Sequence, residues 1–315
     1  MEVVYLLGPS LYLPPSQNGM PTPLAYSLVI ATFERPEELR TTLASVAAQT
    51  RPPAQVIVVD SSSDDRSFAV SQAAPLPVHY ERARKPSAAV QRNQGAALVT
   101  TPLVAFLDDD VFVPPESFAT ICAAFDADAE EKIGGIAARI EGMEHRAPRG
   151  LLRCYYRLQA GYAHPTYGGK LFGAAVNCLP TYTEAEDDLI PADWLNSTCV
   201  FYRTALFQRE KFPEFEGYSF LEDVHLSARV GRTHRLFFHK TATFEHRDAP
   251  STFKRNARAL ARMRVRHQRL VARDILGLRE PVLTAKLLLH RLFATAVIVR
   301  QHGPAWPQEL LGTWT

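Results

Sequence analysis

The chain has 315 residues, of which 46% are hydrophobic and 22% are charged, and its formal net charge is +2. These globular proportions exclude a mainly disordered or collagen-like chain, and the near-neutral total excludes a polycation built to bind nucleic acid. Four widely spaced cysteines, with no CxxC pair among them, argue against a disulfide scaffold or a zinc finger and indicate a reducing compartment.

The N-terminal segment 1–25 is rich in Pro, Gly, Ser and Asn, a composition that predicts a loosely held tail. Its apolar stretch is interrupted by Pro and Ser and has no basic flank, so it is a poor secretory signal. The chain has no run of about 18 uncharged apolar residues, so no membrane span is predicted. Together with the cysteines, these features favour a cytoplasmic protein.

From Tyr26 onward, short apolar runs alternate with segments of helical spacing. Apolar runs of this length are typical of strands buried on both faces, and Pro beside acidic residues marks helix starts. The alternation predicts an α/β fold with a mostly parallel sheet and helices on both faces. Strands are predicted at 27–31, 56–59, 78–81 and 103–107, and helices from Pro36, from Ala88 to Leu98 with Ser87 as N-cap, and from Pro114.

The following part of the chain is less regular, because residues 126–190 mix charges, glycines and aromatic side chains. Beyond them, strands are predicted at 199–202, 235–239 and 242–245. Polar residues follow three of the earlier strands, namely Thr32, Asp60 and Asp108. Ligands of open parallel sheets bind outside the carboxyl ends of the strands, so these residues predict a polar ligand over the first half of the chain.

Three consecutive carboxylates, Asp108 to Asp110, come directly after a predicted buried strand. They repel one another unless a cation offsets their charge. Mg²⁺ and Mn²⁺ prefer hard oxygen ligands, often one or two carboxylates together with substrate phosphates. Asp108 and Asp110 are therefore candidate ligands of one ion, although a solvated acidic turn explains the triplet equally well.

A second acidic pair, Glu222–Asp223, stands near the start of a predicted amphipathic helix. The functional interpretation is a general base held at the floor of a pocket. The alternative, which is favoured for the pair taken alone, is a simple interaction with the helix dipole.

Four further residues have both a functional and a structural interpretation. Lys85 and Arg92, near a predicted helix N-terminus, suit a diphosphate, but an ordinary surface helix has the same pattern. Trp194 is either a platform for a sugar ring or a core residue. His246 follows a predicted strand and is either a metal or phosphate contact or an ordinary hydrogen-bonded histidine.

The order of these motifs is more specific than any one of them. They succeed one another as VIATFERP at 29–36, VIVVDSSS at 56–63, RNQG at 92–95, FLDDD at 106–110 and LEDVHL at 221–226. This succession, which covers roughly residues 26–250, resembles the family 2 glycosyltransferases, which have the GT-A fold.

The resemblance implies an enzyme that transfers a sugar from a nucleotide-diphospho sugar to an acceptor hydroxyl with inversion. It implies a metal site of Asp108, Asp110 and His246 that takes Mg²⁺ or Mn²⁺, and catalysis by the Glu222–Asp223 motif with Asp223 as general base. Trp194 and Asn196 are the implied acceptor-binding residues. The residues implied for the nucleotide sugar are Thr32, Glu34, Asp60 (facing the base), Lys85, Arg92 and Asp109.

Two positions depart from the family pattern. Ser87 stands where many relatives have Gly before the helix, which leaves nucleotide binding plausible. Asn196 begins an Asn-Ser-Thr segment where many relatives have a Gly-rich turn facing the acceptor. The second departure leaves the class of acceptor open, with a glycan and a lipid-linked acceptor as candidates.

The C-terminal segment 251–315 has twelve Lys or Arg against three acidic residues, a balance of +9, so the remaining chain carries −7. Six of its arginines are three or four residues apart and form one cationic stripe on a helix; they are Arg255, Arg258, Arg262, Arg266, Arg269 and Arg273. Peripheral binding to an anionic membrane at the inner face of the cell membrane and a helical cap packed on the catalytic domain explain the stripe equally well. Nucleic acid is disfavoured, because the remaining chain is acidic and no reader motif is present.

These observations predict three parts: a tail at 1–25, a GT-A-like catalytic domain at 26–250 and a basic amphipathic helical extension at 251–315. Within the catalytic domain, 26–125 would bind the nucleotide sugar and 126–250 the acceptor. The expected role is the synthesis of cell-envelope or exopolysaccharide glycans with a UDP-, dTDP- or GDP-linked sugar. The alternatives are a nucleotidyltransferase and a catalytically silent module that binds sugar nucleotides or membranes.

Overall fold

The computed structural model describes residues 23–217, 220–247, 256–302 and 307–314. Its strands are β1 (Tyr26–Thr32), β2 (Gln55–Asp60), β3 (Val78–Arg82), β4 (Leu103–Asp108), β5 (Val111–Phe112), β6 (Ile133–Ile140), β7 (Leu171–Phe172), β8 (Val176–Asn177), β9 (Leu189–Pro191), β10 (Cys199–Arg203) and β11 (Arg235–His246). Its helices are α1 (Pro36–Ala47), α2 (Arg66–Gln72), α3 (Ala88–Ala96), α4 (Ser117–Asp126), α5 (Gly150–Ala160), α6 (Thr204–Glu210), α7 (Glu222–Val230), α8 (Ala257–Asp274), α9 (Val282–His302) and α10 (Pro307–Trp314).

Nine of the strands form one mixed sheet in the order β3-β2-β1-β4-β10-β6-β11-β5, with β9 also paired to β11. The first four strands of that order are mutually parallel, and β6 is parallel to β11. Strand β10 runs antiparallel between β4 and β6. This arrangement confirms the predicted mostly parallel sheet.

Helices cover both faces of the sheet. Helices α1, α2 and α4 pack on the face that receives Leu28 and Ile30 of β1. Helices α3, α6, α7 and α8 pack on the other face, which receives Val29. Since the sheet is buried on both sides, every residue of such a strand meets apolar surroundings, which explains the continuous apolar runs of the sequence.

Some predicted boundaries are wrong. Helix α3 ends at Ala96 rather than Leu98, and Ser87 occupies its N-cap position without a side-chain capping hydrogen bond. The segments 235–239 and 242–245 are parts of one strand, β11, with a register shift against β6 between them.

Strand β6 lies in the middle of the sheet, in the region that shows no clear pattern in the sequence. Two glycines weaken its strand signal, because glycine lacks a side chain to pack in a strand. At Gly135 a Cβ atom would lie 2.7 Å from the ring of Tyr202. Packing against β10 therefore requires a residue with low strand propensity at this position.

The C-terminal helices pack on the domain. His267, Val271 and Ala272 of α8 are buried, which agrees with the helical-cap interpretation of the basic segment. Arg258, Arg262, Arg266, Arg269 and Arg273 are exposed on the other side of α8. Arg255 and residues 1–22 of the predicted tail lie outside the described residues. Within the described part of the chain, no helix is both long and apolar enough to cross a bilayer.

Candidate active site

The carboxyl ends of β1, β2 and β4 are level with one another. In the strand register Thr32 is opposite Asp60, and Ala31 is opposite Asp108. The three polar residues that follow the predicted strands therefore share one edge of the sheet. Helix α7 begins at this edge with Glu222, which contacts Arg92 in α3.

Asp108, Asp110 and His246 form a cluster in which one ligand atom from each residue lies within 4.8 Å of the others. The pairing of β5 with β11 creates the cluster, because it sets His246 opposite Val111. His246 Nε2 lies 3.3 Å from Asp110 Oδ1. Two carboxylates and an imidazole are a suitable donor set for Mg²⁺ or Mn²⁺, so these residues fit the metal that the resemblance implies.

Arg92 connects the acidic cluster to α7. Its guanidinium donates to Asp108 Oδ1 (2.6 Å) and to Glu222 Oε1 (3.3 Å). The residue is only 5% exposed, and its Nε has no hydrogen-bond partner within the described structure. Arg92 thus lies inside the wall of the site, between the two acidic motifs, and not on the surface of a helix.

The two carboxyl groups at the start of α7 are both perturbed. Burial raises the pKa of Glu222 to about 8; the Asp223 charge adds to the rise and Arg92 opposes it. Burial also raises the pKa of Asp223 to about 6, against the hydrogen bond from the Val224 N–H and the charge of Arg92. Burial thus makes both carboxyl groups harder to ionise than free ones, and Asp223 is the one that the resemblance implies as general base.

Thr32 and Asp109, two residues assigned to the nucleotide sugar, are turned toward each other. The Thr32 hydroxyl donates to Asp109 Oδ2 at 2.7 Å, and Arg35 donates to Asp109 Oδ1 at 3.1 Å. Burial raises the pKa of Asp109 to about 7, although Arg35 and Thr32 lower it. Both residues are buried, so in this structure they support the wall of the site and do not line its open space.

Arg35 is a site residue that the sequence analysis missed. Its Nη1 donates to both Asp109 and Asp110, at 3.1 and 2.9 Å, and so offsets part of the charge of the Asp triplet. Two features of the sequence point to Arg35: it follows the first strand, and three adjacent carboxylates require a cation nearby. The sequence does not show, however, that the loop after β1 meets the loop after β4.

Asp60, expected to face the base, has a side chain with no exposed surface. Its carboxylate accepts hydrogen bonds from the Ser62 N–H and hydroxyl and from the Tyr80 hydroxyl. Arg82 adds a longer contact at 3.4 Å. In this structure the Asp60 carboxylate thus organises the loop that follows β2, and its contact with the base stays a prediction.

Glu34 and Lys85 are the exposed members of the predicted nucleotide-sugar set. Glu34 follows β1 with a left-handed backbone (φ 53°), and its N–H donates to the Ser62 hydroxyl at 2.7 Å. Lys85 lies in the loop between β3 and α3. Both side chains are placed beside the strand ends where the parallel sheet would bind a ligand.

The two candidate acceptor residues differ in environment. Trp194 is 4% exposed, packs edge-on against Phe238 and donates its Nε1–H to the Cys178 carbonyl. The ring is a core residue in this structure, which agrees with the second of the two interpretations left open by the sequence, and a role in acceptor binding stays a prediction. Asn196 is also buried, but both polar atoms of its side chain lack partners within the described residues.

Residues 27–179 match the family model described as glycosyl transferase family 2. The chain is also similar to validoxylamine A glucosyltransferase of Streptomyces hygroscopicus subsp. limoneus, with 34% identity over 34% of this chain and 25% of that protein. The match therefore spans about a quarter of the curated relative.

Two solved structures are similar in fold. Residues 1–349 of S. aureus TarS align with a TM-score of 0.54 and 17% identity, over 90% of this chain and 76% of that one. A mannosyltransferase, PcManGT from Pyrobaculum calidifontis, in complex with GDP-Man and Mn²⁺, aligns with a TM-score of 0.51 and 13% identity, over 96% and 88% of the two chains. At these identities the likeness concerns the fold alone, and it confirms the predicted GT-A-like architecture.

Proposed function

We propose that the chain, whose residues 27–179 match the family model of glycosyl transferase family 2, is a metal-dependent, inverting glycosyltransferase. It would move a sugar from a nucleoside diphosphate to an acceptor hydroxyl. The observation that carries the proposal is the link through Arg92, whose guanidinium contacts both Asp108 of the metal-ligand cluster and Glu222 beside Asp223. This contact supports a site in which the leaving diphosphate and the base would be held next to each other.

The metal would be Mg²⁺ or Mn²⁺, held by Asp108, Asp110 and His246. It supplies the positive charge that stabilises a departing nucleoside diphosphate. Arg35 lies beside the same cluster, at 2.9 Å from Asp110, and holds that carboxylate in place. Exposed Lys85 would meet the phosphates from the loop before α3.

Asp223 would act as the general base. The acceptor hydroxyl is a weak nucleophile near neutral pH, and a carboxylate with a pKa of about 6 is suited to accept its proton during attack on the anomeric carbon. The carbon–oxygen bond to the diphosphate breaks as the new glycosidic bond forms. A single displacement of this kind inverts the configuration at that carbon.

The donor would be a UDP-, dTDP- or GDP-linked sugar. Support comes from two neighbours of the same fold, TarS in complex with UDP-GlcNAc and PcManGT in complex with GDP-Man and Mn²⁺. The exposed side chains of Glu34 and Lys85 are available for the nucleotide, whereas Asp60, Thr32 and Asp109 would support the site from behind.

The acceptor would be a glycan or a lipid-linked sugar, in cell-envelope or exopolysaccharide synthesis. Asn196 is the side chain offered to it. Both polar atoms of its buried amide lack partners within the described residues, which costs free energy unless a ligand supplies the hydrogen bonds. Asn196 also lies two residues before Thr198, whose carbonyl accepts from the Asp108 N–H at 3.0 Å.

The testing experiment measures binding and slow hydrolysis of a panel of UDP-, dTDP- and GDP-sugars, with and without Mn²⁺ or Mg²⁺. We expect metal-dependent binding of one donor, lost when Asp108→Ala is combined with Asp110→Ala. Asp223→Asn should retain donor binding and lose turnover. Glu130→Ala with Glu131→Ala, at side chains 73% and 74% exposed, is the matched control and should leave both unchanged.

If the folded protein binds none of the donors, the glycosyltransferase proposal fails. If Asp223→Asn hydrolyses the donor as fast as the unmodified protein, the assignment of the base fails while donor binding stands.

A further inference from the structure

Helix α9 exposes an apolar stripe along most of its length. The exposed residues follow at intervals of three or four, which places them on one side of the helix; they are Val282, Ala285, Leu288, Leu292, Ala296 and Val299. The four larger side chains are each between 45% and 53% exposed. The stripe extends for about 25 Å at the helical rise per residue.

Helix α5 lies beside α9 and carries two further exposed leucines. The ring of Tyr155 stacks on Phe293 with centroids 4.0 Å apart, and its hydroxyl is 2.6 Å from His290 Nδ1. Leu151 and Leu158 are four and three residues from Tyr155, so they flank it on the same side of α5. They are 85% and 62% exposed, which is unusual for leucines of a folded domain.

The surroundings of this apolar surface are cationic. Four exposed arginines lie on α5 and just before it, namely Arg146, Arg149, Arg153 and Arg157. Within the described residues none of them has a carboxylate partner. The sequence has no Asp or Glu from 145 to 183, nor from 281 to 302. The nearest acid to the start of α9 is Glu280, which is already paired with Arg269 of α8.

We propose that the α5–α9 face, defined by Leu151, Leu158, Leu288, Leu292 and Val299, docks on the surface of an anionic lipid bilayer. The apolar side chains would enter the boundary between headgroups and acyl chains, and the arginines of α5 would meet the lipid phosphates. The protein would lie on the bilayer without crossing it, since no described helix is suited to span one.

Charge favours a lipid surface over a second copy of the chain. A twofold interface would apply the same face to itself, so the arginines of one copy would approach those of the other. The face contains no acidic residue to pair with them, and like charges brought together across an interface cost free energy. A leaflet of anionic headgroups supplies the opposite charge along the whole edge of the face.

The surface differs from the arginine stripe that the sequence suggests. On α8 the residues opposite the arginines, such as Val271 and Ala272, are buried in the protein. That helix has exposed charge without an exposed apolar side. Of these two described surfaces, the α5–α9 face is the one that combines both features that interfacial binding requires.

Cosedimentation of the full chain with vesicles tests the proposal without any need for turnover. Vesicles of phosphatidylcholine mixed with phosphatidylglycerol should bind the protein, whereas vesicles of phosphatidylcholine alone should bind it much more weakly. Leu288→Gln with Leu292→Gln should lower partitioning roughly ten- to hundredfold. Arg153→Gln with Arg157→Gln should lower binding to the anionic vesicles roughly thirtyfold and weaken its dependence on salt.

Two controls separate the face from other surfaces. Leu98→Gln changes a leucine that is 38% exposed at the end of α3, and it should bind vesicles like the unmodified chain. Arg258→Gln with Arg262→Gln removes two exposed arginines of α8 and should have a clearly smaller effect than the α5 pair. Donor binding by each variant in solution reports that the protein is folded and is independent of lipid.

The proposal is overturned if the unmodified chain ignores anionic vesicles, or if the α8 variant loses as much binding as the α5 variant. It is also overturned if sedimentation shows a dimer that Leu288→Gln with Leu292→Gln dissociates while vesicle binding is absent. The last result would assign the face to a second copy.

Discussion

Arg92 is a charged side chain held almost out of solvent between two acidic groups that are far apart in the sequence. Asp108 ends strand β4, and Glu222 begins helix α7. The aromatic ring of Phe212 lies 5.5 Å below its guanidinium carbon. At this position an arginine supplies both geometry and charge, because one planar group contacts both carboxylates.

Replacing Arg92 should lower the stability of the fold, whatever its effect on catalysis. Arg92→Gln leaves buried Glu222 and half-buried Asp108 without their cation, which should lower the free energy of unfolding by about 3 kcal/mol. Arg40→Gln, which removes an exposed contact with Glu37, is the control and should cost at most about 1 kcal/mol. Urea denaturation measures both, and equal losses for the two variants would contradict the buried bridge.

The pKa of Asp223 predicts how activity depends on pH. With a pKa raised to about 6, the base is ionised above that pH and protonated below it. The value of kcat/KM should therefore fall about tenfold for each pH unit below the pKa. A profile of donor turnover between acidic and neutral pH measures this limb.

Asp223→Asn should reduce turnover by about a hundredfold or more and abolish the acid limb. Glu37→Gln, an equivalent change at a side chain 75% exposed, should keep both rate and profile. A profile that is flat down to acidic pH in the unmodified enzyme would count against Asp223 as the base.

At the scale of elements, helix α3 fits closely on the sheet because of Gly95. A Cβ atom at this position would lie 2.5 Å from Val29 Cγ1 and 3.0 Å from Val59 Cγ2. The glycine thus brings the helix onto β1 and β2, and Gln91 of the same helix donates to the Thr32 and Val59 carbonyls at 2.8 Å each. The Arg-Asn-Gln-Gly motif is in this respect a packing motif that places Arg92.

Gly95→Ala should be destabilising, although alanine is the better helix former. The clash with two β-branched side chains should cost about 1–3 kcal/mol, more than the gain of up to about 1 kcal/mol from helix propensity. At Gly231 the nearest neighbour is the end of the Leu236 side chain, at 3.1 Å, so Gly231→Ala should change stability much less. Thermal unfolding distinguishes the two, and an unchanged Gly95→Ala melting temperature would refute the close fit.

At the scale of the whole molecule, the basic C-terminal segment is part of the fold. Helix α8 contributes Val271 to the same core cluster as Val224 of α7 and Val29 of β1. Helix α9 adds Leu283 and Leu287, which pack with Ala272 and Ala174. The boundary predicted at residue 251 therefore separates an acidic part of the sequence from a basic part. The hydrophobic core contains residues from both sides of that boundary.

Val271→Ala tests whether this packing stabilises the fold. Val271 is fully buried, so its truncation should lower the free energy of unfolding by about 2 kcal/mol in a single cooperative transition. Val282→Ala, at a side chain 49% exposed, should stay within about 0.5 kcal/mol of the unmodified chain. A separate early transition affected by Val271→Ala alone would instead make the segment an independent unit.

The residues of the first half were enough to predict its architecture and to place a candidate site at the strand ends. Apolar runs with β-branched residues predict buried strands because local propensity and burial act on neighbouring residues. Thr32, Asp60 and Asp108 could be placed at strand ends for the same reason, and parallel strands bring such ends to one edge. The order of the short motifs then indicated the family.

Which side chains open into the candidate site and which support it depends on contacts between segments that are distant in the chain. The resemblance implies that Asp60 and Asp109 bind the nucleotide sugar. In the structure, Tyr80 instead hydrogen-bonds to Asp60, and Arg35 hydrogen-bonds to Asp109. The missed strand β6, the pairing of His246 with Asp110 and the Arg92 bridge likewise depend on residues distant in the chain. The spacing of residues along the sequence does not show which distant residues will pair. These contacts form only when the chain folds and removes both residues from water.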